Sequence, residues 1–509
     1  MNPLENPYIR VIISIMENNN VSKILSDWLD SYLNFERLPK KNIFWLDTIE
    51  FLCNRFNNPQ NAYSSIHIAG SKGKGSVSAF VSSILREAGF SCGLYTSPHI
   101  QTLIERITEA GTFFPEKVYD AAFREMVPRI ESIIPEQLPN EREITWFELM
   151  TLYSFLCFKH AGCNWAVFET GLGGRLDATN ILKPKLCILT PIELEHTEFL
   201  GNTIPLIAAE KAGIIKKGTP VFVSRQNKDA LDVFKNKASH MNAPLFYYDD
   251  FVHAVEWELP TLSDGTHDSD CKMHVRIDCG EFFARPLETD LHLVGEVQAE
   301  NAALAAASVK YLMPALDETV IERGISKAKL PGRFEVTENP LGTKKLVLDG
   351  AHTGNSLTGT MDTFNRMFNS SSQIGKPQAG KQNTRKPQTD ESNTGDSHGE
   401  NSHLLFACAS DKDIHALTKV ILKKPCPFSR ICLTIPGEIK KSDLDALSAC
   451  FKDYMTENKI TGISLSVEPD YKKAIKESLE KAGKDNAVLL VTGSFYLVSE
   501  VKAVLDSLG

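Results

Sequence analysis

The stretch Ser65–Ser76 (Ser-Ile-His-Ile-Ala-Gly-Ser-Lys-Gly-Lys-Gly-Ser) leaves a chain few choices. Ile66 and Ile68 alternate as in a strand, glycines and lysines follow at once, and Val77–Ala88 carries apolar residues at helical spacing. A strand, a tight glycine loop and a helix start are the setting a phosphate-binding loop requires. Glycines let the backbone approach a polyphosphate without Cβ clashes, and a helix N-terminus presents unpaired N–H groups to the anion. On this reading Gly70, Gly73 and Gly75 shape the cradle, Lys74 reaches the outer phosphates, and the Ser76 hydroxyl binds Mg²⁺. The spelling departs from the Walker form, because Gly75 separates lysine from hydroxyl and Ile68 stands where the first Walker glycine would be. The competing reading is a plain Gly-rich turn between strand and helix.

The rest of the chain repeats the strand-to-helix rhythm. Helical spacing runs through Val21–Phe56, about Pro115–Ile134, Trp146–His160 and Thr203–Ala212; strands are expected at Cys92–Tyr95, Trp165–Phe168, Leu186–Leu189 and Pro220–Val223. Such alternation predicts a parallel sheet with covered faces, whose ligands sit beyond the carboxyl ends of the strands. Glu169 ends one strand and is positioned to hold a metal, directly or through water; the bland alternative is a solvated loop carboxylate. Thr170–Asn180, with Arg175 and Asp177 among its glycines, reads as a shaped loop near phosphates. Glu193, Glu195 and His196 cluster after another strand in a position to complete a Mg²⁺ site, although a lone histidine is more often structural. Lys211, near a helix end, faces solvent on spacing alone.

Residues 252–294 carry short alternating runs (Val252–Leu259, Met273–Ile277, Glu281–Ala284) that predict a small antiparallel patch at the sheet edge. Glu300–Met313 is an Ala-rich helix. After a boundary near Gly324–Lys329 a second alternation begins, with strands at Lys345–Leu348, Leu404–Cys408, Ile431–Thr434, Ile463–Val467 and Val488–Val491, the first ending at Asp349-Gly-Ala-His352. The expected architecture is therefore α/β: an N-terminal parallel-sheet phosphate-loop domain at 1–326 with the antiparallel patch, and a smaller Rossmann-like C-terminal domain at 327–509. The latter lacks a Gly-x-Gly-x-x-Gly fingerprint, which disfavours a dinucleotide. Ser370–Ser402 is so poor in apolar residues that it predicts a disordered surface loop.

Composition narrows the class. A net charge of −9 argues against a general nucleic-acid binder, and eleven cysteines without a C-x-x-C pair fit reduced thiols in a cytoplasmic enzyme. No apolar stretch is long enough to span a bilayer, and Val11–Met16 reads as helix rather than as a signal peptide.

Taken in order, these motifs resemble the folylpolyglutamate synthase/dihydrofolate synthase family of the Mur ligase superfamily. The resemblance runs from Asn58-Pro-Gln60 to Gly493-Ser-Phe-Tyr-Leu497. Between them stand the phosphate loop, Thr96-Ser-Pro-His99, Glu105-Arg106, Glu169–Asn180, His196-Thr197, Glu210-Lys-Ala-Gly-Ile214, Gly295–Asn301, Leu330-Pro-Gly-Arg333, Asp349–His352 and Asp411-Lys-Asp413. It implies an ATP-dependent ligase: the γ-phosphoryl group passes to a carboxylate, and the amine of L-glutamate displaces phosphate from the acyl phosphate. The acceptor would be a folate, or dihydropteroate in the dihydrofolate synthase reaction. The resemblance further implies that Lys74 and the loop glycines bind phosphates, that Ser76 and Glu169 hold one Mg²⁺, and that His196 with a carbamylated Lys211 holds a second. Asn301 and Arg333 would contact the nucleotide, and Asp349 and His352 its ribose and adenine, in a cleft between the domains. The expected enzyme is a cytoplasmic monomer with no nucleic-acid or membrane partner. Three positions depart from the family pattern: Ser71-Lys72 replaces Thr-Asn, Glu195 replaces Asp before the histidine, and Thr353 replaces Asn. Two other readings are a Mur-type ligase of a cell-wall precursor, marked by a strict need for a UDP-muramyl substrate, and a phosphate-loop NTPase switch, which needs no acceptor carboxylate.

Overall fold

The computed structural model describes residues 21–34, 45–260, 271–342, 344–368 and 401–508. The helical reading of Val11–Met16 and the disorder expected for 370–400 fall outside these residues. The described chain divides into two compact units, one formed by Met1–Phe251 with Leu304–Ala328 and the other by Val252–Ala303 with Lys329–Gly509. The third break in this division, at 328/329, lies close to the expected 326/327 boundary, but residues 252–303, read from sequence as part of the N-terminal domain, group with the C-terminal unit.

The first unit is built on β1 (Ser64–Ala69), β2 (Cys92–Tyr95), β3 (Ile107–Glu109), β4 (Trp165–Glu169), β5 (Leu186–Leu189), β6 (Val221–Val223) and β7 (Leu245–Tyr247). They form one sheet in the order β3-β2-β4-β1-β5-β6-β7, parallel except where β3 pairs antiparallel with β2. Ile66, Ile68, Val167, Ile188 and Leu189 are fully buried. Burial on both faces explains why these strands read as near-continuous apolar runs. Helix Trp146–His160 is buried along almost its whole length, and its Phe155 and Phe158 stand edge-on to Phe168 of β4, with ring centroids 5.3 and 5.5 Å apart. Two short edge strands, β3 and β7, were not expected from sequence.

The second unit holds two sheets. β8 (Ala254–Glu258), β9 (Met273–Asp278) and β10 (Leu287–Leu291) form an antiparallel sheet in the order β10-β9-β8. The patch is thus a separate sheet rather than an edge of the large one. The expected strand at Glu281–Ala284 begins instead within a 3-10 turn (Gly280–Phe282), and the third strand comes from β10. The larger sheet contains β11 (Glu335–Glu338), β12 (Lys345–Leu348), β13 (Ser402–Phe406), β14 (Phe428–Leu433), β15 (Ser464–Val467) and β16 (Val488–Thr492), in the order β11-β12-β16-β13-β14-β15. Only β11 runs antiparallel to its neighbour. Ser402, expected at the end of the disordered loop, is buried and opens β13.

Candidate functional site

In the first unit the neighbours β4, β1 and β5 end at the same level, with Ile68 beside Glu169 and Ala69 beside Leu189. Their loops therefore start side by side. Thr170 N–H donates to Ile68 O at 2.9 Å and Thr190 N–H to Ala69 O at 2.8 Å, which continues the ladder one residue past the strands. Gly70, at φ +152°, leaves so little room that a Cβ would lie 1.9 Å from Thr190 Oγ1 and 2.9 Å from its carbonyl oxygen. Gly70→Ala is expected to lower stability by about 1–3 kcal/mol, the range for overpacking, and to displace the loop. Urea unfolding together with nucleotide binding checks this; unchanged values for both would contradict it.

The loop then anchors itself away from any ligand. Ser71 N–H and Lys72 N–H both donate to Pro191 O, at 2.8 and 3.2 Å. Gly73 turns at φ 81° into helix Lys74–Glu87, and the first helical bond runs from Val77 N–H to Gly73 O. The N–H groups that can greet an anion are consequently those of the first helical turn. Ser76 sits in that turn and is buried.

Five charged side chains gather here, Lys72, Lys74, Glu169, Glu195 and Lys211. Lys74 Nζ lies 3.9 Å from Glu169 Oε1, and the Glu169 carboxylate also accepts Ser97 N–H at 3.1 Å. That bond brings the Thr96-Ser-Pro-His loop after β2 to Glu169. The sequence reading included Ser97 in the Thr96–His99 motif without a role, although its place just beyond a strand end was the available signal. Lys211 does not face solvent: its side chain is 1 % exposed, it donates to Gly70 O at 2.8 Å, and it pairs with Glu195 Oε1 at 3.0 Å. Lys72 Nζ stands 3.9 Å from the other oxygen of the same carboxylate. Burial pushes the Lys211 ammonium down to about 8 against the opposing pull of Glu195. Burial also pushes Glu195 up, but Lys211, Lys74, Lys72 and His196 outweigh it and hold the carboxyl at about 2. His196 itself is exposed and left-handed at φ 47°, and Lys211 pairs with Glu195 beside it.

Thr170–Asn180 is fixed from within. The buried Asp177 carboxylate accepts Gly171 N–H, Leu172 N–H and Thr179 N–H at 2.9–3.0 Å, together with the Thr179 hydroxyl. Asp177 is thus the staple of the loop, and burial raises its pKa against those bonds. Arg175 pairs with Glu210 at 2.9 Å, which ties the loop to the helix that ends at Lys211.

In the second unit Arg333, Asp349 and His352 come together at the ends of β12 and β16. Asp349 accepts Phe334 N–H at 2.7 Å, Ala351 N–H at 2.9 Å and the Thr360 hydroxyl at 2.8 Å. The Arg333 guanidinium lies 4.1 Å from the centroid of the Phe495 ring, and the His352 ring meets the same ring edge-on at 5.8 Å. Asn301, buried on helix Glu296–Leu312, donates to Gln298 Oε1 at 3.2 Å.

Among the described residues no group of three or more His, Cys, Asp or Glu side chains is arranged to hold a metal ion. Mg²⁺ at a phosphate site takes only one or two carboxylates and completes its shell with phosphate oxygens and water. One buried carboxylate, Glu169, with a serine loop beside it and a helix N-terminus to seat phosphates, fits that donor set.

Comparison with known proteins adds an independent finding. Residues 68–309 match the Mur ligase middle domain. The Bacillus subtilis dihydrofolate synthase/folylpolyglutamate synthase is 30% identical over 483 residues, covering 93% of this chain and 97% of that one. Mycobacterium tuberculosis folylpolyglutamate synthase complexed with ADP and AMPPCP shares the fold with a TM-score of 0.75 at 23% identity, over 95% of this chain and 98% of that one. An Escherichia coli protein in complex with DHPP and ADP does so with a TM-score of 0.69 at 24% identity, over 95% and 98%.

Proposed function

Because the chain belongs to the folylpolyglutamate synthase/dihydrofolate synthase family of the Mur ligase superfamily, we propose that it is an ATP-dependent ligase that adds L-glutamate to a folate through an acyl phosphate. The observation that supports this most directly is the meeting of Lys74, Glu169, Glu195 and Lys211 around the glycine loop at the ends of β4, β1 and β5. Phosphoryl transfer needs positioning and charge stabilisation more than covalent chemistry from the protein. On this reading the first-turn N–H groups and Lys74 orient the polyphosphate. Lys72 and Lys74 stabilise charge on the γ-phosphoryl oxygens as the bond to the ADP oxygen breaks and the bond to the folate carboxylate forms. The glutamate amine then attacks the acyl carbon, phosphate leaves, and the amine gives up a proton.

Glu169 and Ser76, with Ser97 at hand, would hold Mg²⁺, and His196 with Lys211 a second ion, which when bound neutralises phosphate charge. Lys211 can serve only as a carbamate, since an ammonium repels a cation. That modification needs the neutral amine, and CO₂ addition releases its proton. A group titrating at about 8 is neutral in roughly one molecule in ten at pH 7, far more often than an ordinary lysine. Once carbamylated, Lys211 no longer pairs with Glu195, whose remaining cations include Lys72 and Lys74.

Arg333, Asp349 and His352 are assigned on the same reading to the nucleotide. Asp349→Ala is expected to weaken ATP binding and also to cost about 2–4 kcal/mol of stability, because three buried donors lose their acceptor. His352→Ala should weaken ATP binding alone. Normal ATP affinity in both variants would remove the assignment.

The deciding experiment is glutamate-dependent ADP release with dihydropteroate and tetrahydrofolate supplied separately. Turnover with tetrahydrofolate establishes folylpolyglutamate synthesis, turnover with dihydropteroate adds dihydrofolate synthesis, and turnover with neither overturns the reading. Among the described residues no helix is long and apolar enough to cross a membrane. The cytoplasmic, monomeric state belongs to the same proposal.

A further inference from the structure

We propose that Phe495 is a positioning residue for the nucleotide, one ring that sets the Arg333 guanidinium and the His352 imidazole in fixed relation to each other. The inference rests on the assignment of Arg333 and His352 to ATP made above.

Three motifs far apart in sequence meet at this ring. The guanidinium of Arg333 lies over it, with its central carbon 4.1 Å from the ring centroid. That is a close cation–π contact. The ring of His352 stands against it at 67° with centroids 5.8 Å apart, the edge-to-face arrangement aromatic pairs prefer. Between them lies Gly350, where a Cβ would fall 2.1 Å from Phe495 Cε1 and 2.2 Å from Cδ1. The ring therefore rests directly on the backbone of the loop that carries His352. That loop is itself rigid: Asp349 holds Phe334 N–H and Ala351 N–H, and His352 Nδ1 lies 2.8 Å from Gly350 O.

Phe495 begins helix Phe495–Leu508, directly after β16, and is only half-buried, whereas Val491, Leu497 and Val498 are fully buried. A residue kept partly open while it touches two charged or polar side chains contributes less to the core than to their placement. A long arginine has many rotamers, and the energy lost in ordering them on binding ATP is smaller when a flat surface already holds the guanidinium.

The test is a double-mutant cycle on the full chain, with Mg-ATP in the absence of glutamate as the probe. Phe495→Leu keeps an apolar side chain but removes the flat face, and is expected to raise the Kd of Mg-ATP about 3–10-fold, the range of one partly exposed cation–π contact. Phe495→Tyr should restore it. If Phe495 acts through Arg333, Phe495→Leu adds little once Arg333→Met is present. A purely structural ring would lower the melting temperature of Phe495→Leu with normal ATP affinity, or give losses that add fully with Arg333→Met; either result overturns the proposal. If Arg333→Met itself binds Mg-ATP normally, the assignment beneath the proposal fails and takes it down as well.

Discussion

Lys74→Met is expected to reduce glutamate-dependent ADP release by about 10²–10³-fold, the loss typical when one preorganised charge-stabilising contact is removed. Methionine keeps the length and apolar stem of lysine, so the helix start at Lys74 and the neighbouring packing are preserved. What disappears is the cation 3.9 Å from the Glu169 carboxylate. Lys74 is more enclosed than a loop lysine ordinarily is, with its side chain 14 % exposed, so the variant also leaves Glu169 less well balanced. The Ser97 N–H bond to Glu169 remains and limits the structural damage. Steady-state ADP release and a melting curve on the same preparation separate the two effects. A variant that retains most of its turnover would mean that the phosphate-loop assignment is wrong.

Lys211→Met should be at least as damaging, and for a different reason. Breaking a buried ion pair leaves the partner charge without compensation, at a typical cost of about 3–5 kcal/mol. Here Glu195 would keep Lys72 at 3.9 Å, and Gly70 O would lose a donor. Loss of turnover is expected together with loss of stability. The pH dependence carries a definite sign. Glu195 is held at about 2, below the usual carboxylate value of 4.5, so its pairing stabilises the fold fully above pH 4.5 and the contribution is lost as pH falls toward 2. Lys211, at about 8 rather than 10.5, gives the same slope in a different window: the cost of its buried ammonium is present below about 8 and fades by 10.5, so stability from this group also rises with pH there. Urea midpoints between pH 2 and 5 should therefore fall less steeply in Lys211→Met than in the wild-type protein. Intact-protein mass measured near pH 8 under CO₂ should show one added CO₂ that is absent from the variant. A fully active Lys211→Met enzyme would sink the carbamate.

The parts of this site legible in the sequence were those whose signal is local. Strand, glycine and helix succeed one another within Ser64–Glu87, and Glu169 ends a run of apolar residues, so both could be read from neighbours in the chain. The burial of Lys211 could not. A lysine in the last turn of a helix normally faces water, and only the fold shows that this one points at Gly70 O and at a carboxylate from another loop. For the same reason His196 drew attention that Glu195 deserved equally. Among the strands, β3 and β7 are three residues long, too short for alternation to register. In β10, Leu-Glu-Thr-Asp-Leu buries only its two ends and places polar side chains between them, so no apolar alternation marks it as a strand. The family resemblance supplied what local pattern could not, namely the expectation that Arg333, Asp349 and His352 serve one nucleotide. It included Phe495 within Gly493–Leu497 but assigned it no role, and only the structure shows the ring touching both Arg333 and His352.

The order of strands around the phosphate loop also governs when the loop can exist during synthesis. β1 is made early, but its two neighbours are β4 and β5, so residues 64–69 remain unpaired on both edges until residues 165–169 and 186–189 have left the ribosome. At translation rates of about 5–20 residues per second that wait is on the order of ten seconds. Throughout it the nascent chain carries an apolar strand with open edges, and Glu169, Glu195 and Lys211 have not yet emerged or reached their places. Nucleotide cannot assist this stage of folding. A chaperone that shields β1 until β5 arrives would therefore raise the yield of active protein more than ATP added during translation.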